Sequence, residues 1–356
     1  MLVLAALIGK PEPRLRLTVV SPGPYTTYSG MVPGVMGGRY TLREAQIDVE
    51  ALARRAGSAF VAAYAVGVDA AQRSVTLSDG SALHYDLLSF DIGSQPARAA
   101  PIDADAPVIF LKPIERAVTQ LDAALAGRAA GHDRHVVVVG GGAGGSEVAL
   151  ALSARRLGGA ITVCDGEAHP AHSLGARTAR QVERVFTMRG IRFIGNARVA
   201  RVTRRAVELA DGRELAADLI IWATGPAAPE LFAASGLPVD RHGFLLVDAT
   251  LQCPAYPEIL AAGDCMTISA HPDLPKAGVF AVREAPVLAH NLAAAARGAP
   301  LRQYRPQRRF LALLNSGDGR AILSYGGVAY HGRGAWWLKD WIDRRFVAQF
   351  TRLIGA

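Results

Sequence analysis

The residues with the clearest chemical purpose lie between His135 and Asp165. Four valines, Val136 to Val139, run into Gly140-Gly-Gly142-Ala-Gly-Gly145-Ser-Glu147, and a second apolar run, Ile161-Thr-Val-Cys164, stops on Asp165. Gly140, Gly142 and Gly145 fit the G-x-G-x-x-G turn. The first glycine allows a sharp bend, the second lets a pyrophosphate approach the backbone, and the third packs helix against strand. The amides at the start of the following helix favour phosphate charge. Asp165 falls 20 residues after Gly145, where a carboxylate accepts hydrogen bonds from ribose hydroxyls. Strand, turn, helix and acid together predict a dinucleotide site; the alternative is a glycine-rich turn in an ordinary α/β domain. Asp165 repels a 2′-phosphate, and Gly166-Glu167-Ala168-His169 offers no arginine to receive one, so NADH is expected over NADPH.

Sulfur and metal chemistry are disfavoured. Cys164, Cys253 and Cys265 make no C-x-x-C pair, and Cys253 and Cys265 are 12 apart. They read as buried bystander thiols, which argues against disulfide reduction, sulfide oxidation and a zinc site. A sparse, odd cysteine count suits a reducing cytoplasm. Met1 to Ile8 is apolar but lacks a basic leader and a cleavage site, so it reads as a helix. No apolar run is long enough to span a bilayer.

These groups need a scaffold, and 356 residues allow two domains with a small third. Half the residues are apolar and a fifth charged, as in a globular protein. Leu15 to Val20 reads as a strand, Thr41 to Ala56 as one helix, and four short strand signals follow between Ala59 and Phe90. Gln95 to Pro101 reads as a crossing between domains. Pro113 to Leu125 and Arg177 to Met188 read as helices, and Ile191 to Leu209 as short strands. Leu219 to Ala223 is a strand ending on Thr224-Gly225; Ile259 to Asp264 is a buried strand stopping on Gly263-Asp264; Gly278 to Ala296 is a long helix. The endings Asp91-Ile-Gly93-Ser94 and Ala223-Thr224-Gly225 resemble each other, which suggests two nucleotide domains, one inserted in the other.

An ordered set of segments adds to this: Ser21 to Gly34, Leu111 to Ile114, Gly140 to Glu147, Trp222 to Gly225, Ala262 to Cys265, Pro275 to Val279, Tyr304 to Leu314 and Trp337 to Arg345. On these the chain resembles the pyridine nucleotide-disulfide oxidoreductases. Within them it looks most like the type II NADH dehydrogenase branch and the flavoprotein found fused ahead of selenophosphate synthase. The sequence departs from that pattern at its front. The opening strand and glycine loop that hold the FAD pyrophosphate in relatives have no counterpart, Met1 to Leu7 looks like the helix after that loop, and Ser21 stands where many relatives carry an acid.

The resemblance implies an α/β fold with two Rossmann-like dinucleotide-binding domains. An FAD-binding domain, N-terminally incomplete, is expected over 1–104 and 235–300, an inserted NAD(P)H-binding domain over 105–234, and a small C-terminal region over 301–356. FAD is implied, with Gly263 and Asp264 at its ribitol. The helix from Gly278 would aim its amides at the flavin pyrimidine edge, with Lys276 just ahead, and Tyr28 and Gly30 would lie in a loop along the flavin ring. A catalytic Lys112–Glu147 pair is implied at the face where nicotinamide stacks, with Thr224 and Gly225 beside the nicotinamide nucleotide. For Lys276 a solvated lysine, and for Asp264 a plain turn cap, are the alternatives.

The implied activity is hydride transfer from NADH to FAD and on to a quinone or other acceptor. The alternatives are a non-catalytic NAD-binding module and a redox accessory to selenophosphate synthase.

The net charge of +8 is local: residues 301–356 hold ten Lys or Arg and three acids, Asp318, Asp340 and Asp343. Leu338, Ile342, Phe346 and Phe350 recur at i+4 and form an apolar stripe, joined by Trp337 and Trp341 and flanked by Lys339, Arg344 and Arg352. A basic amphipathic helix with tryptophan suits the inner face of a membrane, reaching a quinone. It suits equally the protein's own body or a twin subunit. No nucleic-acid module is evident.

Overall fold

Val136–Val139 forms the middle strand of a five-stranded parallel sheet because each of its valines is buried on both faces. The computed structural model describes residues 1–355 apart from 99, 127–133 and 156–158. The strand order is Val108–Phe110, Leu219–Trp222, Val136–Val139, Ile161–Cys164, Ile191–Ile194, all parallel. Chain direction away from Val136–Val139 reverses at its border with Leu219–Trp222, so the loops after Val139 and Trp222 face each other at a switch point, where open α/β sheets take ligands. Helices Ala143–Ala154, Ala176–Arg189 and Ile114–Ala126 bury Val148, Leu150, Leu152, Val182, Phe186 and Leu121 in this core.

A second parallel system is built from distant segments. Thr18–Ser21 pairs with Ala59–Ala62, Leu88–Phe90 with Tyr256–Ala261, and Leu245–Val247 with Met266–Ile268. Its core gathers Phe90, Phe232, Leu260 and Leu288. The helix Gly278–Arg297 lies along the first helix, Leu2–Gly9. The interposed sheet Ala65–Asp69, Ser74–Leu77, Ala82–His84 is antiparallel. Gln95–Pro96 and Pro226–Ala227 pair antiparallel where the chain crosses between the two systems. This is the expected α/β class.

The C-terminal region is a three-stranded antiparallel sheet, Ala312–Asn315, Ala321–Tyr325 and Val328–Gly332, followed by the helix Arg333–Ile354.

One expected helix is broken. Thr41 to Ala56 folds as Leu42–Ala45, a strand Gln46–Asp48, and Val49–Arg55. The strand pairs with Tyr25–Thr27 and buries Ile47. The Asp48 carboxylate then caps a new helix by accepting from Ala51 N at 2.7 Å. Thr41 and Glu44 close a capping box on the first piece. The apolar spacing persists across the break, which is why it reads as one helix.

Candidate active site

The glycine turn is shaped by contacts that exclude any side chain. A Cβ at Gly140, whose φ is +102°, would lie 2.4 Å from Ala223 O, and one at Gly145 would lie 1.9 Å from Gly140 O. Nothing stands within 4 Å of a Cβ at Gly142, so the start of the helix Ala143–Ala154 is uncovered. Asp165, at the end of the next strand, accepts from Gly141 N and, at 2.8 Å, from Glu167 N. The acid thus sits beneath the turn, fixed by backbone amides. Thr224 and Gly225 take a different part: Thr224 Oγ1 donates to Ala97 O at 2.6 Å and Gly225 O accepts from Ala97 N at 2.9 Å. They tie the sheet to the crossing segment.

A second group surrounds a cavity lined by Gly263, Asp264, Met266, Lys276, Phe280 and Glu284. Lys276 is half-buried and bonded to the protein. Its Nζ donates to Met266 O and, at 2.9 Å, to Thr267 Oγ1, and it lies 4.4 Å from the centre of the Phe244 ring. Burial holds its pKa below the usual lysine value, with Asp240 and Asp264 opposing. Burial raises Asp264, with Lys112 and Lys276 opposing. Glu284 is 1% exposed and accepts from Gly263 N at 2.7 Å; burial pushes its carboxyl up to about 7. The motif reading does not single out Glu284, since a glutamate in a helix ordinarily reads as surface.

The loop carrying Tyr28 and Gly30 meets the start of the long helix: a Cβ on Gly278 would stand 3.9 Å from Ser29 Oγ. The Tyr28 ring stacks on Phe346 at 4.3 Å, and burial pushes its phenol up to about 12.

The expected Lys112–Glu147 pair is absent, and this is a correction. Lys112 precedes Pro113 at the edge of the sheet, and its Nζ donates to Ser94 O at 2.9 Å and Ser94 Oγ at 3.0 Å. Glu147 points instead toward the last helix. Its Oε1 accepts from Asn315 N at 2.8 Å and lies 3.5 Å from Lys339 Nζ. Lys339 Nζ also donates to Gly30 O at 2.9 Å and lies 3.1 Å from Asp343 Oδ2. Glu147, Lys339 and Asp343 are all buried. The last helix turns Ala335, Lys339, Asp343, Val347 and Phe350 inward, so the predicted stripe splits: Phe350 is buried, whereas Trp337, Leu338 and Trp341 are 66%, 37% and 59% exposed. Lys339 and Asp343 were hidden in the sequence because a charged i,i+4 pair on an amphipathic helix reads as its solvated side.

The start of the helix Gly278–Arg297 and the Glu147–Lys339 pair therefore both reach the loop at Ser29 and Gly30. Over residues 6–295 the chain matches the family model of pyridine nucleotide-disulphide oxidoreductases. The chain belongs to that family. Members of the family bind FAD and a nicotinamide dinucleotide. The residues present fit them: two glycines that admit no Cβ beside an uncovered helix start for the nicotinamide nucleotide, and a half-buried carboxyl, Asp264, lining the cavity for the flavin ribitol.

The chain is 33% identical over 203 residues to the ferredoxin–NAD(+) reductase component of the biphenyl dioxygenase system of Paraburkholderia xenovorans (strain LB400), covering 55% of this chain and 47% of that one. It is 32% identical over 169 residues to an NAD(P)H dehydrogenase (quinone) of Mycobacterium tuberculosis, covering 44% and 32%. The matches thus span about half and about a third of these relatives' lengths. The sulfide:quinone oxidoreductase of Aquifex aeolicus shares the fold, with a TM-score of 0.84 over 99% of this chain and 89% of that one at 21% identity. The three cysteines here are free and buried, and burial pushes Cys164 and Cys265 up to about 12, far from reactive thiolates.

Proposed function

We propose that this flavoprotein passes a hydride from NADH to FAD and on to a quinone-type acceptor. The observation that carries the reading is the meeting of two separately encoded groups at Ser29–Gly30: the start of the helix Gly278–Arg297 and the Lys339–Glu147 pair. Bound FAD supplies the redox relay. The chain's part is to hold and orient. Gly140, Gly142 and Gly145 seat the nicotinamide nucleotide's pyrophosphate and Asp165 its ribose. Asp264 holds the ribitol, and Lys276 with the helix amides at Gly278 offsets negative charge at the flavin pyrimidine edge. Lys339, in the position expected of Lys112, faces Glu147 beside the loop that runs along the ring. The FAD-binding unit is proposed over 1–104 and 235–300, and the NADH-binding unit over 105–234. Purified protein that is yellow, is bleached by NADH and recovers its colour with a soluble quinone supports this. A colourless protein that ignores added FAD overturns it.

Contact with a membrane surface is the accompanying reading, favoured by the exposed Trp337, Leu338 and Trp341 on a helix that also carries Arg345 5.5 Å from the Trp341 ring. No helix among the described residues is long and apolar enough to cross a membrane.

A further inference from the structure

The buried trio of Glu147, Lys339 and Asp343 holds two carboxyls against one ammonium. Among the described residues, Lys339 is the single cation within 4.0 Å of either acid, and no side chain of the three exceeds 11% exposure. With both acids ionised, a net negative charge would be stranded away from water, which is costly. Two buried acids against one cation favour retention of a proton between them. Burial raises both carboxyls while Lys339 pulls them back, and the two acids together hold Lys339 protonated.

The two acids are not equivalent. Glu147 is anchored by a backbone amide, Asn315 N, as well as by Lys339, whereas the buried Asp343 Oδ2 has Lys339 Nζ, at 3.1 Å, as its one charged neighbour within 4.0 Å among the described residues. Asn315 Nδ2 beside them is also buried without a partner. The other titratable groups facing the trio are Tyr28 from the flavin-side loop, Tyr40 and, from the same helix, Asp340. Beyond Asp340 the network runs outward: Tyr40 Oη donates to Asp340 Oδ1 at 2.8 Å, and Arg344 bridges Asp340 and Glu44 at 2.9 and 3.0 Å.

We propose that Asp343 is a proton-holding residue that shares one exchangeable proton with Glu147 and resupplies Lys339, which delivers a proton to an acceptor reduced at the adjoining flavin site. This rests on the flavin reading above and narrows its acceptor. In balance, a quinone, NADH and one proton give a hydroquinone and NAD+. The hydride supplies two electrons and one hydrogen, and the remaining proton leaves Lys339 for the acceptor oxygen. Asp343 returns a proton to Lys339 and recovers its own from solvent. An iron–sulfur acceptor takes electrons alone and leaves such a store without use, so the trio favours a hydrogen-accepting substrate.

The test is the Asp343→Asn variant of the FAD-loaded protein, with the two half-reactions followed separately. Bleaching by NADH stays within about twofold of the parent, since it needs no proton from the trio. Reoxidation by menadione falls roughly 10- to 100-fold and loses its pH dependence, as expected when a proton donor is removed. Reoxidation by ferricyanide, which takes no proton, is unchanged. The infrared difference between parent and variant at neutral pH shows one protonated carboxyl lost, with or without flavin.

An unchanged menadione rate and pH profile, an equal loss with ferricyanide, or a persisting carboxyl band overturns the proposal. Should Asp343→Asn fail to fold, Asp343→Glu must retain both the carboxyl band and the pH profile, and losing either overturns it as well. A parent protein that takes up no FAD defeats the flavin reading instead, while the infrared signal still reports on the shared proton.

Discussion

Lys339 Nζ lies 3.5 Å from Glu147 Oε1 and donates to Gly30 O, so one side chain of the last helix joins the glycine-turn helix to the loop proposed to run along the flavin. Removing one partner of a buried ion pair leaves an uncompensated charge and costs about 3–5 kcal/mol. Lys339→Met is therefore expected to lower stability by about that amount. Adding Glu147→Gln should restore part of it, because the double variant strands less charge. Urea unfolding with an unchanged slope measures both changes. A Lys339→Met variant as stable as the parent would show that the pair holds nothing together.

Glu284 gives a pH prediction with a definite sign. Its carboxyl is raised by burial from 4.5 to about 7 in the folded chain. Below about 4.5 it is protonated in both states and has no linkage effect. Between about 4.5 and 7 the unfolded chain has lost the proton that the folded chain retains, so folding stability falls as pH rises. Above about 7 the loss is complete, on the order of 3 kcal/mol. Glu284→Gln should flatten this slope and be the more stable protein at pH 8, matching the parent more closely near pH 4. Thermal midpoints across that range decide it, and a parallel shift at every pH would contradict the assignment.

The parts of the site that are legible in the sequence are those whose chemistry is local. Gly140, Gly142, Gly145 and Asp165 announce themselves because a turn, a close approach and a strand end each demand one residue type at a fixed offset, and the sheet places them as that spacing requires. The strand that stops before Gly263-Asp264 is readable for the same reason. The Lys339–Glu147 contact is not, because helical periodicity says which residues share a face but not which face turns inward. Here the inward face carries charges, which composition alone assigns to water. The break at Gln46 is similarly non-local: it exists because Tyr25–Thr27 offers a strand edge.

Gly145 separates the two nucleotide sites experimentally. A Cβ there would stand 1.9 Å from the backbone oxygen of Gly140, so Gly145→Ala must push the helix off the turn. NADH binding should weaken by about 100-fold, while the FAD content of the purified protein stays that of the parent. Titrating NADH against the flavin absorbance reads both at once. Equal loss of FAD and NADH binding would mean that the turn supports the whole fold rather than one ligand.

Asp165 is held by the amides of Gly141 and Glu167 where the ribose would lie. Replacing it by serine removes the charge that opposes a 2′-phosphate. Asp165→Ser should narrow the preference for NADH over NADPH by about tenfold or more, mainly through a weaker KM for NADH. Steady-state kinetics with both donors tests this, and an unaltered ratio would place the ribose elsewhere.

The exposed side of the last helix supplies the remaining prediction. Trp337, Trp341 and Leu338 face away from the body, while Lys339 and Asp343 face into it, so the same helix that completes the site presents aromatic surface outward. Tryptophan flanked by arginine favours the headgroup region of anionic lipid. The protein should sediment with vesicles containing phosphatidylglycerol, and Trp337→Ser with Trp341→Ser should reduce that binding by about tenfold while leaving bleaching by NADH intact. Because a quinone dissolves in the same layer, the double variant should lose turnover with a lipid-soluble quinone but keep it with a water-soluble one. Equal rates with both quinones would assign these tryptophans to something other than a membrane.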